Sequence, residues 1–297
     1  MAVIVALAAG LGTGLALGTS GSTPRAHAAD SARTASRVSV DAAGNQAAGW
    51  VAGQVSHGET VACDPAMCAL LERRGFPAGN LDMVRPGTAA PLDASLVVAT
   101  AALRSDLGGR LAAAYAPVAL AGFGTGAGRV VVEAAAPDGQ VTYLNGFRND
   151  LAARRAVGAQ LLMNRAVEAD PLARQQLSQG LADSRLIATI GMMAALHQIH
   201  LVAFGDPSPG ASPGVPLRSV SLSAITHGGG THGVTASTAL LASLRALLLS
   251  QQPLYRPASI QTVRLGTGQS ALRIAFAAPD PLGLLDASQP LVKISSP

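Results

Sequence analysis

Apolar residues along this chain fall into two kinds of run. Ala94 to Ala99 (Ala-Ser-Leu-Val-Val-Ala) and Leu201 to Phe204 are short and continuous, the pattern of buried strands. Asn45 to Val55 instead spaces its apolar residues at helical intervals, with Trp50 and Val51 facing inward. Followed onward, the pattern predicts a strand over 59–63, a helix opening at Pro65, and a buried parallel strand at 94–99. A helix opens at Ser105 and Asp106 and runs through Tyr115. Pro117–Phe123 and Arg129–Ala135 are strands joined by Gly-Thr-Gly-Ala-Gly. Residues 146–198 show no strand pattern: a long helix starts at Asn149 or Asp150, and Asp170-Pro171 and Asp183-Ser184 mark two further helix starts. A strand at Arg218–Ile225, a helix over about Ala236–Ser250 and a hairpin of Ser259–Leu265 with Ala271–Phe276 complete the pass. Alternating strands and helices predict an α/β fold. It is read as two similar α/β units (44–138 and 199–297), with mostly parallel sheets ending in hairpins, joined by a helical segment (139–198).

An internal echo supports the pairing of units. Residues 123–138, beginning Phe-Gly-Thr-Gly-Ala-Gly, align without a gap on residues 265–280, beginning Leu-Gly-Thr-Gly-Gln-Ser, and both stretches end in Ala-Pro-Asp. Val61-Ala-Cys-Asp-Pro65 matches Val202-Ala-Phe-Gly-Asp-Pro207, and Tyr115-Ala-Pro117 matches Tyr255-Arg-Pro257, in the same order. The expectation is two hairpins at equivalent places on superimposable units.

The two cysteines of the chain, Cys63 and Cys68, flank a helix start. Asp64 suits the N-cap and Pro65 the first helical position, which puts Cys63 at N′ and Cys68 at N4, facing each other as in a hydrophobic staple. The spacing is not that of a thiol oxidoreductase, and no second ligand pair completes a zinc site. A structural disulfide is favoured over two reduced cysteines packed as small hydrophobes.

Composition narrows the function classes. Apolar residues make up 49% of the chain and charged residues 13%, which excludes disorder. The net charge is +4, Lys293 is the sole lysine among 21 basic residues, and aromatic residues are 3%, so nucleic acid is not an expected partner. Residues 1–18 are apolar and uncharged in their side chains, and Ala26-His27-Ala28 fits a signal-peptidase site. Residues 1–28 are therefore read as a signal peptide or a membrane anchor through residues 1–20, followed by a tether at 29–43. Either alternative exports the rest of the chain.

The candidate chemistry is thin. Gly122-Phe-Gly-Thr-Gly-Ala127 fits a dinucleotide fingerprint in form, but a strand pattern follows where that motif needs a helix. Gly210-Ala-Ser212-Pro-Gly214 fits a nucleophile elbow in form, yet Pro213 lacks the N–H an oxyanion would need. His227 and His232 flank a glycine run and are the weak metal candidate, with His197 and His200 placed at a helix end. Asp138, Asp150, Asp170, Asp183 and Asp206 are read as turn or helix-start residues. No cofactor is expected.

Trp50-Val51, Val61 to Leu71, Leu96 to Arg104 and Ala121 to Val131 together resemble, in order, the extracytoplasmic C-terminal domain of actinobacterial many-spanning membrane glycosyltransferases. The whole chain is similar to uncharacterised exported or membrane-anchored actinobacterial proteins. The resemblance covers about a third of the chain and implies a cell-envelope module touching a glycan or a membrane glycosyltransferase. It carries over no catalytic residue. The expected function is a non-catalytic extracytoplasmic binding or accessory module for a glycan, a lipid-linked sugar or an envelope enzyme. The alternatives are a hydrolase or glycan-modifying enzyme using Ser212, His227 and His232 in the 210–214 and 227–233 loops, or a purely structural interaction protein.

Overall fold

The computed structural model describes residues 42–87, 94–225, 231–266 and 268–286, with backbone alone for 112–117 and 231–236. The signal or anchor expected at 1–28 lies outside these residues, as does His227. The described residues all belong to one compact unit.

Two five-stranded sheets organise the chain. A first helix, α1 (residues 42–54), leads into β1 (Val61–Cys63), α2 (Pro65–Arg73) and β2 (Leu81–Met83). β3 (Leu96–Ala99), α3 (Ala101–Leu107), α4 (Gly109–Ala114) and the hairpin of β4 (Tyr115–Phe123) and β5 (Val130–Ala135) follow, giving a first sheet ordered β2-β1-β3-β5-β4. α5 (Gln140–Met163), β6 (Val167–Ala169), α6 (Pro171–Ser178), α7 (Ser184–Ala194) and β7 (Ile199–Gly205) come next. The chain then runs through β8 (Ser219–Ala224), α8 (Thr231–Leu249), β9 (Ser259–Arg264) and β10 (Ser270–Ala275), giving a second sheet ordered β6-β7-β8-β10-β9.

The α/β reading stands; the mostly parallel sheets do not. β1 pairs in parallel with β2 and β3, and β6 with β7, while every other pairing in the two sheets is antiparallel. Parallel neighbours need a long crossover, which α2 provides between β1 and β2 and which α6 and α7 provide between β6 and β7. The proline- and glycine-rich loop between β7 and β8 contains no helix, so the chain simply turns back. A continuous apolar run reports burial, not strand direction.

Burial follows from the alternation of side chains along each strand. In the first sheet, Leu96 and Val98 join Ala47, Val51, Cys68 and Leu71 on one face, while Val97 and Ala99 meet Leu103 and Leu107 on the other. In the second sheet, Val220 and Leu222 pack with Leu186, Ile190 and Leu244 from α7 and α8, and Ser221 and Ser223 stay outside that core. The stretch read as a separate helical segment belongs to this second layer, because Val157 and Leu161 of α5 join its core and β6 joins its sheet. β6 escaped the sequence pattern because three residues are too few to show alternation.

The hairpins form as expected, and each unit ends alike. β3, α3–α4 and β4–β5 correspond to β8, α8 and β9–β10, with the last strand inserted between the other two. The full equivalence fails. The added outer strand follows β1 in one unit and precedes β7 in the other, and β7 runs antiparallel to β8 where β1 runs parallel to β3. Turn lengths differ too: Phe123 pairs with Val130, whereas Leu272, which aligns with Val130, pairs with Thr262. A register difference of this kind reassigns side chains to faces, so the echo reflects shared turn chemistry, not superimposable units.

Local starts were read well where a cap announces them. Asp64 accepts from the Ala66 and Met67 N–H groups at 3.0 Å, and Pro65 opens α2. Asp183 caps α7 through the Arg185 N–H at 2.8 Å. Cys63 and Cys68 are joined, with their Cα atoms 5.4 Å apart across that cap. Two helix starts move. α3 begins at Ala101 because Thr100 caps it, and Gly108 (φ 50°) ends it before Ser105 and Asp106 could open anything. α5 begins at Gln140, well before Asn149 and Asp150.

Candidate functional site

The two motifs rejected above meet at one place. Helix α1 turns Gln46, Gly49, Trp50 and Gln54 to one side, the stripe expected of positions three and four apart. Gly122, Phe123 and Gly124 from the β4–β5 hairpin and Ser208, Pro209 and Gly210 from the β7–β8 loop close the other sides. Together they bound a cleft of about 480 Å³, within the usual range for small-molecule sites.

Glycine makes this closeness possible. A Cβ on Gly210 (φ +104°) would lie 2.4 Å from Cε1 of Phe123, and one on Gly124 (φ +70°) would lie 2.8 Å from Cβ of Ala43. The β7–β8 loop is strapped to the edge of β4: the Gly122 N–H donates to the Gly210 carbonyl at 3.1 Å, and the Ser212 N–H to the Leu120 carbonyl at 2.9 Å. Gly122, Gly124 and Gly210 of the two formal motifs are thus walls of a cleft. Ser212 heads no elbow, since its own N–H is committed to β4, Pro213 offers none, and the next element is a strand. Gly122 and Gly124 sit in a hairpin and bind no pyrophosphate through a helix start.

Trp50, the only tryptophan of the chain, is 5% exposed. The Arg218 guanidinium lies over its ring, 5.4 Å from the centroid. Arg218 also donates to the Gln54 carbonyl at 3.3 Å, to Gln54 Oε1 at 3.5 Å, to the Phe276 carbonyl at 3.2 Å and to Asp206 at 3.3 Å. Burial pushes the Arg218 pKa down and that of Asp206 up, so this pair positions Trp50 at an electrostatic cost. Trp50 Nε1 and Ser208 Oγ are both buried without a hydrogen-bond partner, and both residues line the cleft. Each such group costs about 1–3 kcal/mol until something pairs with it. Sequence reasoning placed Trp50 inward but could not see that it shares a cleft with a loop more than 150 residues away.

A second cleft, of about 780 Å³, opens at the C-terminal end of α1. His57, Glu59, Arg185, Arg256 and Phe276 are among its walls. Arg185 is held by Asp183 at 2.6 and 3.1 Å and by the Ala277 carbonyl at 2.7 Å, and it lies over the Phe276 ring. Burial pushes the Arg185 pKa down, but the hydrogen bond and charge of Asp183, with the charges of Asp280 and Glu59, together raise it.

Other polar residues named from the sequence are held by contacts within the fold. His200 lies in β7, not at a helix end, and its ring joins Asp170 at 3.0 Å to Ser223 at 3.2 Å. This chain has the residue types of a hydrolase triad, but Ser223 is 0% exposed and no substrate reaches it. Asp170 precedes α6 without capping it, having turned to His200 instead. Asp150 is no helix start: it sits inside α5, accepting from Arg154 at 2.7 Å, from Ser184 Oγ at 3.1 Å and from the Gly283 N–H at 3.2 Å. Beside it Asp280 is half-buried, one oxygen buried without a partner, with a pKa raised by burial and by Asp183. Asp206 pairs with Arg218, and Asp138 remains a turn residue.

Of the three residues of the hydrolase alternative, His227 lies outside the described residues and only the backbone of His232 is described, within α8. Among the described residues no group of three or more His, Cys, Asp or Glu could hold a metal. Comparison of the chain with protein-family models, with curated proteins and with solved structures finds no match.

Proposed function

We propose that this protein is an exported, non-catalytic module of the cell envelope that works by binding a ligand in the Trp50 cleft. The observation that carries the reading is the pair of buried, unpartnered polar groups, Trp50 Nε1 and Ser208 Oγ, on a cleft assembled from three separated segments. Binding sites are typically concave surfaces with a few polar groups, and a cleft lined by Gln46, Trp50, Gln54 and Ser208 supports that reading. The Cys63–Cys68 disulfide supports the export side of the reading, since such bonds persist in oxidising compartments. Among the described residues no helix is long and apolar enough to cross a membrane, so attachment is assigned to residues 1–20 if they are retained. A glycan, a lipid-linked sugar or an envelope enzyme such as a membrane glycosyltransferase remains the partner class to test. The hydrolase alternative gains nothing from the Ser212 loop, whose backbone is committed to β4.

The test is fractionation of cells expressing the full chain, followed by titration of the recovered protein with envelope extracts while the emission of Trp50 is read. The expected result is protein outside the cytoplasm, no free thiol without reductant, and a saturable emission change. Cytoplasmic protein with two alkylatable thiols would end the export reading.

A further inference from the structure

We infer that the second cleft, at the C-terminal end of α1, binds a small zwitterion: an amino acid or short peptide whose carboxylate meets Arg185 and Arg256 while its ammonium meets Glu59. None of these three residues lines the Trp50 cleft, so this site is separate from the one proposed above.

The cleft lies where the two layers join. One wall is the end of α1 and the turn after it, with residues between Ala52 and Glu59. The other is the first turn of α7, at Arg185, with residues between Pro253 and Ala258 that lead into β9. The stretch after β10 is tied to both walls. The Ala278 N–H donates to the Gln54 carbonyl at 2.6 Å, the Ser56 N–H donates to the Ala278 carbonyl at 3.0 Å, and the Ala277 carbonyl accepts from Arg185 at 2.7 Å. Both walls are thus pinned to one backbone segment, and the gap between them is built into the fold.

The walls are opposite in charge. On the first, the half-buried Glu59 carboxylate makes no hydrogen bond or ion pair among the described residues, and the carbonyl end of α1 adds partial negative charge. His57 on this wall turns its ring to the Ala52 carbonyl at 3.2 Å and packs edge-on against Phe76. On the second wall, the Arg185 side chain is 9% exposed, and its Nε and Nη2 are committed to Asp183 and Ala277. Its Nη1 has no partner among the described residues and, unlike Trp50 Nε1, is not sealed from solvent, so it is open to the cleft that Arg185 lines. Asp183 and Asp280 offset part of the Arg185 charge. Arg256 has no such offset: it is exposed, and its Nε and Nη2 rest on the neutral Gln251 carbonyl at 3.2 and 3.0 Å.

Arg185 feels the charge of Glu59, yet the two form no ion pair. The protein leaves that gap unbridged. A ligand with one charge alone would bring its apolar part against the charge of the opposite wall, whereas a zwitterion pairs both. Guanidinium groups suit a carboxylate in particular, because their planar forks match its two oxygens. Leu254, 46% exposed, and Pro253 beside it give an apolar side chain its surface. A volume of about 780 Å³ leaves room for a short peptide.

The experiment is calorimetric titration of the purified full chain with leucine, dileucine and trileucine, each also as its N-acetyl form and its C-terminal amide. At least one unblocked ligand should bind saturably, with both of its blocked forms about fivefold weaker or worse. Glu59→Gln should weaken the unblocked ligand by about five- to tenfold and leave the N-acetyl form unchanged. Arg256→Gln should weaken it similarly and leave the amide unchanged. Neither side chain holds a charge partner in the fold, so melting temperatures should stay put; Arg185 is kept intact because Asp183 depends on it. An N-acetyl form that binds as tightly as the free one, with Glu59→Gln without effect, would overturn the zwitterion. Variants that weaken blocked and unblocked ligands alike would overturn the assigned contacts. Absence of binding by all three unblocked ligands would overturn the site.

Discussion

The two sheets end alike and begin differently, and each is secured by different chemistry. In the first, both faces are covered by apolar side chains, and the entry strand is tied to its helix by the Cys63–Cys68 bond and the Asp64 cap, which also accepts from Thr100. In the second, one face carries the large core, and α5, α7 and the chain after β10 are tied by buried ions: Asp150 with Arg154, Asp183 with Arg185, and Asp280 between them. The difference teaches that the hairpin end is a local solution that can recur, whereas the start of each sheet depends on how distant segments are fastened. A short covalent loop fastens neighbours; a buried ion network fastens elements far apart in sequence.

This contrast can be broken at several points. The largest effect is expected in the second layer. Arg154 is 2% exposed and also donates to the Gly180 carbonyl at 2.7 Å, so Arg154→Ala leaves Asp150 buried without its charge partner. The expected loss is about 3–5 kcal/mol in urea unfolding. A loss under 1 kcal/mol would show that the ions decorate this layer instead of holding it.

Next comes the contact that joins the layers. Gly210→Ala should cost about 1–3 kcal/mol from the clash with Phe123, beyond the penalty of its positive φ. Gly214→Ala has the same backbone problem (φ +90°) with open space around it and should cost only about 1 kcal/mol. Equal losses in thermal melts would mean the Phe123 contact adjusts freely.

For the first sheet, loop-entropy arithmetic gives the disulfide about 2 kcal/mol, because so short a loop was never very free. The double variant Cys63→Ala, Cys68→Ala should lose about that amount, with faster hydrogen exchange confined to the start of α2. Exchange that accelerates across the whole chain would contradict a local staple.

The final effect, at Asp280, is read from how stability changes with pH. Its folded-state pKa is raised, by burial first and by the Asp183 and Asp150 charges, so folding takes up a proton. The stabilisation is complete below the unfolded value of about 4 and is lost as pH rises through the folded value. Asp280→Asn keeps the shape without the titration. It should flatten the decline of stability on the alkaline side of pH 4 and gain on the parent as pH rises. Parallel pH profiles for parent and variant would show that Asp280 does not carry the linkage. Tyr143, whose pKa is raised by burial and by these same carboxylates, is the nearby reporter.

Features readable from the sequence share one property: their causes lie within a few residues. Asp64-Pro65, Asp170-Pro171 and Asp183-Ser184 open helices because caps and first-turn proline act over a single turn. Cys63 and Cys68 meet because N′ and N4 are neighbours at any helix start. The glycine turns make hairpins because positive φ is a local demand. What tertiary structure alone decided depends on partners far along the chain. The direction of β7 against β8, the place of the outer strands and the three-residue β6 were set by crossovers and by register. The Trp50 cleft belongs with these. Its glycines were visible as two motifs whose local mechanics failed, and only the packing of α1, the β4–β5 hairpin and the β7–β8 loop gave them a common purpose. Periodicity reports which side chain turns inward; it holds no information about which distant backbone that side chain will meet.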